Sequence, residues 1–148
     1  MLMERSCDYP ELRDSLKGRS VVIWACSTCA SLCNGIGSKD SVESLSRRLT
    51  SDGIDVKGIV ITRAICLMSR ARSSSNDPGI DDANVILALS CDMGAANMIR
   101  ATGKDVINPL ITIGHGYLDD DGTPRLPDGS TLSTKSSPYI NELPTLFI

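Results

Sequence analysis

Residues 20–25, SVVIWA, and 83–90, ANVILALS, constrain the fold more than any other stretch. Each is a short, nearly unbroken apolar run rich in β-branched residues. A strand with one wet face alternates apolar and polar residues, so runs like these suit strands buried on both faces. Residues 56–64, VKGIVITRA, and 105–113, DVINPLITI, read as two further strands, with Pro109 placing the last at a sheet edge. Helical signals lie between the strands. Asp40 with Glu43 resembles a capping box, and Val42, Leu45 and Leu49 follow at helical spacing until Asp52-Gly53 stops the helix. Residues 67–72 suit a short helix, and residues 92–102 suit a helix closed by Gly103. SSSNDPG, 73–79, reads as a loop. The first nineteen residues hold one short helix around positions 10–16. Strand–helix alternation predicts an α/β fold: a flavodoxin-like parallel sheet of about four strands with flanking helices, the first strand lying between the second and third and the fourth beyond the third.

The chain has 148 residues, which suits one core. Residues 1–117 read as a cysteine-rich α/β domain that binds a metal or cluster. After His115 the composition turns polar and turn-rich, with Asp121-Gly122 and Asp128-Gly129 as turn signals. Residues 118–148 therefore read as a polar C-terminal arm, a hairpin or an extended segment.

Composition narrows the partners. Net charge is −3, and the aromatics are one Trp, three Tyr and one Phe. A nucleic-acid surface needs a basic face and stacking rings, so no nucleic acid is expected. No apolar stretch reaches the roughly 18 residues of a membrane span, so no membrane partner is expected either. The charged start, MLMERSCDYPELRD, lacks the apolar core of a signal peptide. A cytoplasmic location follows as the expectation, where thiols stay reduced.

Six cysteines in that setting point to metal binding or catalysis rather than disulfides. Three of them, Cys26, Cys29 and Cys33, fall in WACSTCASLCNGIG, 24–37, directly after the first strand. In a parallel sheet the residue after each strand lies on the same edge. Cys66 follows the second strand and Cys91 the third, so Cys26, Cys66 and Cys91 are expected to converge there, with Cys29 and Cys33 above the same crevice. Gathered thiolates repel one another unless a cation neutralises them, and zinc or an iron–sulfur cluster does so. Two alternatives stand beside that reading: thiol redox chemistry, and plain packing of cysteine as a small hydrophobe. Cys7, in the polar N-terminus, reads as an incidental exposed thiol.

Two further residues are candidates for holding a bound group. Gly94, in Asp92-Met93-Gly94, permits close backbone approach where a helix N-terminus presents free N–H groups. His115, the sole histidine, sits in Gly-His-Gly past the fourth strand and reads either as a ligand or proton donor or as a turn residue. Asp119, Asp120 and Asp121 lack the spacing of a calcium loop. No phosphate loop, dinucleotide fingerprint or nucleophile elbow occurs, so no catalytic residue is assigned.

The succession VVIWACSTCASLCNGIG, a strand followed by Cys66, and VILALSCDMGAANM resembles the MetV-type small subunit of bacterial methylenetetrahydrofolate reductases, also described as the methylenetetrahydrofolate reductase C-terminal domain. The likeness spans about residues 9–117. It implies a cytoplasmic accessory subunit, itself non-catalytic, of an oxidoreductase in one-carbon metabolism, bound to a flavin-containing reductase subunit as a hetero-oligomer. Carried over by position, Cys26, Cys29, Cys33, Cys66 and Cys91 form the ligand set, with Cys33 the one to spare. The favoured occupant is an iron–sulfur cluster of the [4Fe–4S] type, with zinc the alternative. The departure lies in residues 118–148, which contain no cysteine where the family carries a cluster-bearing tail. A similar layout occurs in the delta subunit of methylviologen-reducing hydrogenases, an iron–sulfur electron-transfer module. A stand-alone thiol or persulfide enzyme, with Cys26 or Cys29 as nucleophile and Cys91 as resolver, is the alternative from another class. A domain whose metal only staples its loops is a third.

Overall fold

A computed structural model describes residues 1–139. Residues 140–148 of the expected arm lie outside the described residues. Four strands form a parallel sheet: β2 (Ser20–Cys26), β3 (Asp55–Thr62), β4 (Val85–Leu89) and β5 (Asp105–Ile107), in the order β3-β2-β4-β5. The expected order holds. From Val21 to Cys26, β2 is wholly buried, as is all of β4, whereas β3 at one edge exposes Asp55, Lys57 and Ile61. The central strands thus carry the unbroken apolar runs and the edge strand the mixed one.

Five helices join the strands: α2 (Cys29–Leu32), α3 (Lys39–Ser51), α4 (Met68–Ser74), α5 (Pro78–Asp82) and α6 (Asp92–Thr102), with α1 (Tyr9–Leu16) preceding the sheet. Val42, Leu45 and Leu49 are the buried stripe of α3, which packs on β2 and β3. Its cap corrects the expectation: Ser38 sits at the N-cap and accepts from the Ser41 N–H at 3.3 Å, two residues earlier than an Asp40–Glu43 box would place it. The capping box occurs on α1 instead, where Asp8 accepts from Glu11 N–H and Glu11 accepts from Asp8 N–H, each at 3.0 Å. Gly103, at φ 69°, closes α6.

Three other expectations change. The fourth strand is split. Residues 105–107 pair with β4, but Asn108-Pro109 breaks the ladder, and β6 (Leu110–Gly114) leaves to pair antiparallel with β1 (Leu2–Arg5). Proline has no N–H to continue the ladder, and its carbonyl accepts from Ser6 N–H at 2.8 Å as the chain turns toward β1. The N-terminal segment therefore contributes a strand besides its helix. The 73–79 loop ends in α5, where Asp77 caps through Gly79 N–H at 2.9 Å and Pro78 occupies the first turn.

Beyond β6, β7 (Tyr117–Leu118) and β8 (Pro124–Arg125) form a small antiparallel hairpin. The arm then folds back over the N-terminal segment. Ser133 donates to Glu4, Arg5 Nε donates to the Lys135 carbonyl at 3.2 Å, and Arg48 donates to the Tyr139 carbonyl at 2.7 Å. The Arg5 guanidinium also lies over the Tyr139 ring, 4.8 Å from its centroid. Among the described residues, no helix is long and apolar enough to cross a membrane.

Candidate metal centre

The parallel register decides which cysteines meet. Cys26 ends β2 and pairs with Thr62, the last residue of β3, while Leu89 ends β4 beside Ala25. Cys91 follows two residues on, as the N-cap of α6. Cys26, Cys29 and Cys91 thus lie on the carboxyl edge of the sheet. The charges of Cys29 and Cys26 each disfavour the Cys91 thiolate, and that of Cys29 also disfavours the Cys33 thiolate.

The three environments differ. Burial pushes Cys26 up, but the Thr28 hydroxyl and the N–H groups of Ile65, Thr28 and Ala64 outweigh it and hold the thiol below its ordinary value. The Thr28 Oγ1 atom lies 3.1 Å from Cys26 Sγ. Burial raises Cys91, against the N–H groups of Gly94 and Met93 at the start of α6, with Cys29 and Cys26 adding to the rise. Cys29 is half-buried, and the N-terminal amine lies 3.6 Å from its sulfur.

Cys33 and Cys66 stand differently. Cys33 is buried and engages β1, with its thiol donating to the Met3 carbonyl at 2.9 Å and accepting from Met3 N–H at 3.3 Å. Burial raises its thiol above the ordinary value, with the Cys29 charge adding to the rise and the Met3 hydrogen bond and the N-terminal amine opposing it. Cys66 lies in the turn after β3, four residues past Thr62, and is exposed. That turn is tied down by Asn97, whose side-chain amide donates to the carbonyls of Ile65 and Cys66 at 3.1 and 2.9 Å.

The remaining candidates sit as follows. Gly94 is buried, and a Cβ there would lie 2.8 Å from Ser90 Oγ, so its close approach serves helix–strand packing while its N–H faces Cys91. His115 is exposed, past the end of β6 and therefore outside the parallel sheet. Cys7 contacts the Tyr139 hydroxyl at 3.5 Å, away from this edge.

Among the described residues, no group of three or more His, Cys, Asp or Glu side chains is drawn together tightly enough to hold an ion. The donors fit a soft metal in kind: Cys26, Cys29 and Cys91 are thiols on one sheet edge, and the Thr28 hydroxyl lies 3.1 Å from the Cys26 sulfur.

Two supporting residues were not visible as such in the sequence. Gly37 is buried where a Cβ would lie 2.6 Å from the Cys26 carbonyl and 2.8 Å from Ala30 Cβ. The Asn34-Gly35-Ile36-Gly37 run marked a turn, not this contact. Gly37→Ala is expected to destabilise the chain by about 1–3 kcal/mol through overpacking, read as a lower midpoint in urea; an unchanged midpoint would mean that the turn relaxes freely. Ala64 has φ 53°, a left-handed conformation that L-residues adopt at a cost. Ala64→Gly should leave the fold intact and stabilise it by up to about 1 kcal/mol, which the same denaturation curve measures. No family model, no curated protein and no solved structure matches the chain.

Proposed function

We propose that this chain is a metal- or iron–sulfur-binding accessory subunit of a cytoplasmic redox complex, akin to the MetV-type subunit of a methylenetetrahydrofolate reductase and partnered by a flavin-containing subunit. The observation that carries the reading is the placement of Cys26, Cys29 and Cys91 on one sheet edge, where the charges of Cys26 and Cys29 act on Cys91 and the Thr28 hydroxyl lies 3.1 Å from the Cys26 sulfur. Hydrogen bonds of that kind stabilise thiolate charge, as metal ligation requires. In this reading Cys26, Cys29 and Cys91 supply three ligands and the exposed Cys66 the fourth, while Cys33 holds β1. A bound iron–sulfur cluster supplies one-electron chemistry; zinc supplies Lewis acidity or a structural staple. In this reading the chain's own residues hold the sulfurs at an edge where Cys26 and Cys91 are themselves buried.

A partner at this edge is supported by its rim. Leu32, Leu67 and Met93 each follow a cysteine closely and are 56%, 55% and 58% exposed. Single exposed apolar side chains are ordinary, and a contiguous group of them marks an interaction surface; in the partnership reading these three form one group. Isolated without oxygen from its native source, the chain should bring down a protein that carries flavin. The pair Leu32→Glu and Met93→Glu should weaken that association at least tenfold with melting unchanged. Isolation of the chain alone, with no flavoprotein, would contradict the partnership.

A second reading rests on Cys26 itself, whose thiol is held below its ordinary value, as a nucleophile requires. Cys26 would attack an oxidised disulfide substrate, and Cys91 would then displace the substrate thiol, leaving a Cys26–Cys91 disulfide and a reduced substrate dithiol. Peptide mapping after exposure to a disulfide should find that bond if this reading holds. A delta-subunit-like electron module shares the ligand set of the first reading and differs only in its partner.

A further inference from the structure

Thr28 is the N-cap of α2, a position where threonine ordinarily accepts a hydrogen bond from its own helix. Here it makes no such cap, and its backbone sits at φ −106°, ψ −101°. Its hydroxyl is turned elsewhere. Ala64 N–H donates to Thr28 Oγ1 at 2.9 Å, and Thr28 Oγ1 lies 3.1 Å from Cys26 Sγ. A hydroxyl carries one hydrogen, and with the Ala64 donor on its oxygen that hydrogen is available to the sulfur. Ala64 makes its donation from the left-handed conformation at φ 53°. A helix cap and an ordinary backbone geometry are both given up where these three residues meet.

We propose that Thr28 is a positioning residue for Cys26: its hydroxyl, oriented by the Ala64 N–H, donates to the Cys26 sulfur, fixes its rotamer and lowers its electron density as a ligand. The inference rests on the metal-site reading and adds to it a residue that no cysteine pattern contains. Hydrogen bonds to a ligand commonly change metal affinity by about 10- to 100-fold when removed.

The test uses the full chain, reduced and free of oxygen, titrated with Co²⁺. Wild type should develop a thiolate-to-cobalt charge-transfer band that Cys26→Ser diminishes. Thr28→Val should shift that band and weaken Co²⁺ binding about tenfold, whereas Thr28→Ser, which keeps the hydroxyl, should restore both. Thr28→Ala replaces the valine variant if circular dichroism shows the latter unfolded. A band and affinity unchanged in the hydroxyl-free variant overturn the proposal, as does a folded Thr28→Ser that behaves like Thr28→Val. If wild type gives no thiolate band, the metal-site reading fails separately. Thr28 is then judged by the alkylation rate of Cys26 at one neutral pH: several-fold slower without the hydroxyl and restored by serine supports the proposal, and equal rates overturn it.

Discussion

Cys26→Ser is expected to remove most of the bound metal or cluster while leaving the sheet folded. Cys26 ends a central strand, and its sulfur lies 3.1 Å from the Thr28 hydroxyl. Serine keeps the size and the hydrogen bonds, but its oxygen stays protonated and is a poor ligand for a soft ion. Metal content per chain should fall to a small fraction of wild type, and residual occupancy should dissociate readily to a chelator. Cys33→Ser should behave otherwise. Its sulfur already bonds both ways to Met3, so its loss should lower stability with little change in metal content. Equal metal loss in the two variants would contradict the division of roles between the edge thiols and Cys33.

The second large effect concerns the support beneath the site. Trp24 is fully buried in β2, and its indole N–H donates to Thr62 Oγ1 at 2.8 Å. The Thr62 hydroxyl in turn donates to Ser74 Oγ at 2.8 Å. This chain links the ends of β2 and β3 to α4, the frame that carries Cys26 and the turn of Cys66. Trp24→Ala should cost about 3–5 kcal/mol from the cavity alone. That is a large share of the roughly 5–15 kcal/mol that holds a domain together. Chemical denaturation of the metal-free protein should show it as a much lower midpoint. Trp24→Phe keeps most of the packing and should recover most of the stability, its remaining deficit reflecting the lost donor to Thr62. Equal losses in the two variants would place the effect in the hydrogen bond instead.

Much of the sheet was legible in the sequence because strands buried on both faces admit only apolar residues. SVVIWA and VILAL leave little room for another assignment; strand–helix alternation then gave the parallel sheet with the shared edge of Cys26 and Cys91, and the flavodoxin-like fold type gave the order β3-β2-β4-β5. The N-terminal strand was not legible, since Leu2–Arg5 is four residues long and takes its form from pairing with β6. The break at Pro109 was visible as an anomaly, but its consequence depends on a partner strand more than a hundred positions away. Cys66 shows the limit of reasoning from strand ends. The ladder stops at Thr62, and a turn containing left-handed Ala64 intervenes. Spacing also could not separate Cys33 from its neighbours, because the distinction lies in its contact with Met3. Thr28 and Gly37 act through one hydroxyl and one missing methyl group, neither of which leaves a periodic signature.

The central claim is that the thiols of this sheet edge hold a metal. Iron, zinc and acid-labile sulfide, determined per chain on protein purified without oxygen and accompanied by a visible absorption spectrum, test it most directly. The account predicts iron and sulfide in matching amounts with broad visible absorption, or zinc near one per chain with none. Folded, colourless protein without iron or zinc, and with every thiol open to alkylation, would contradict it.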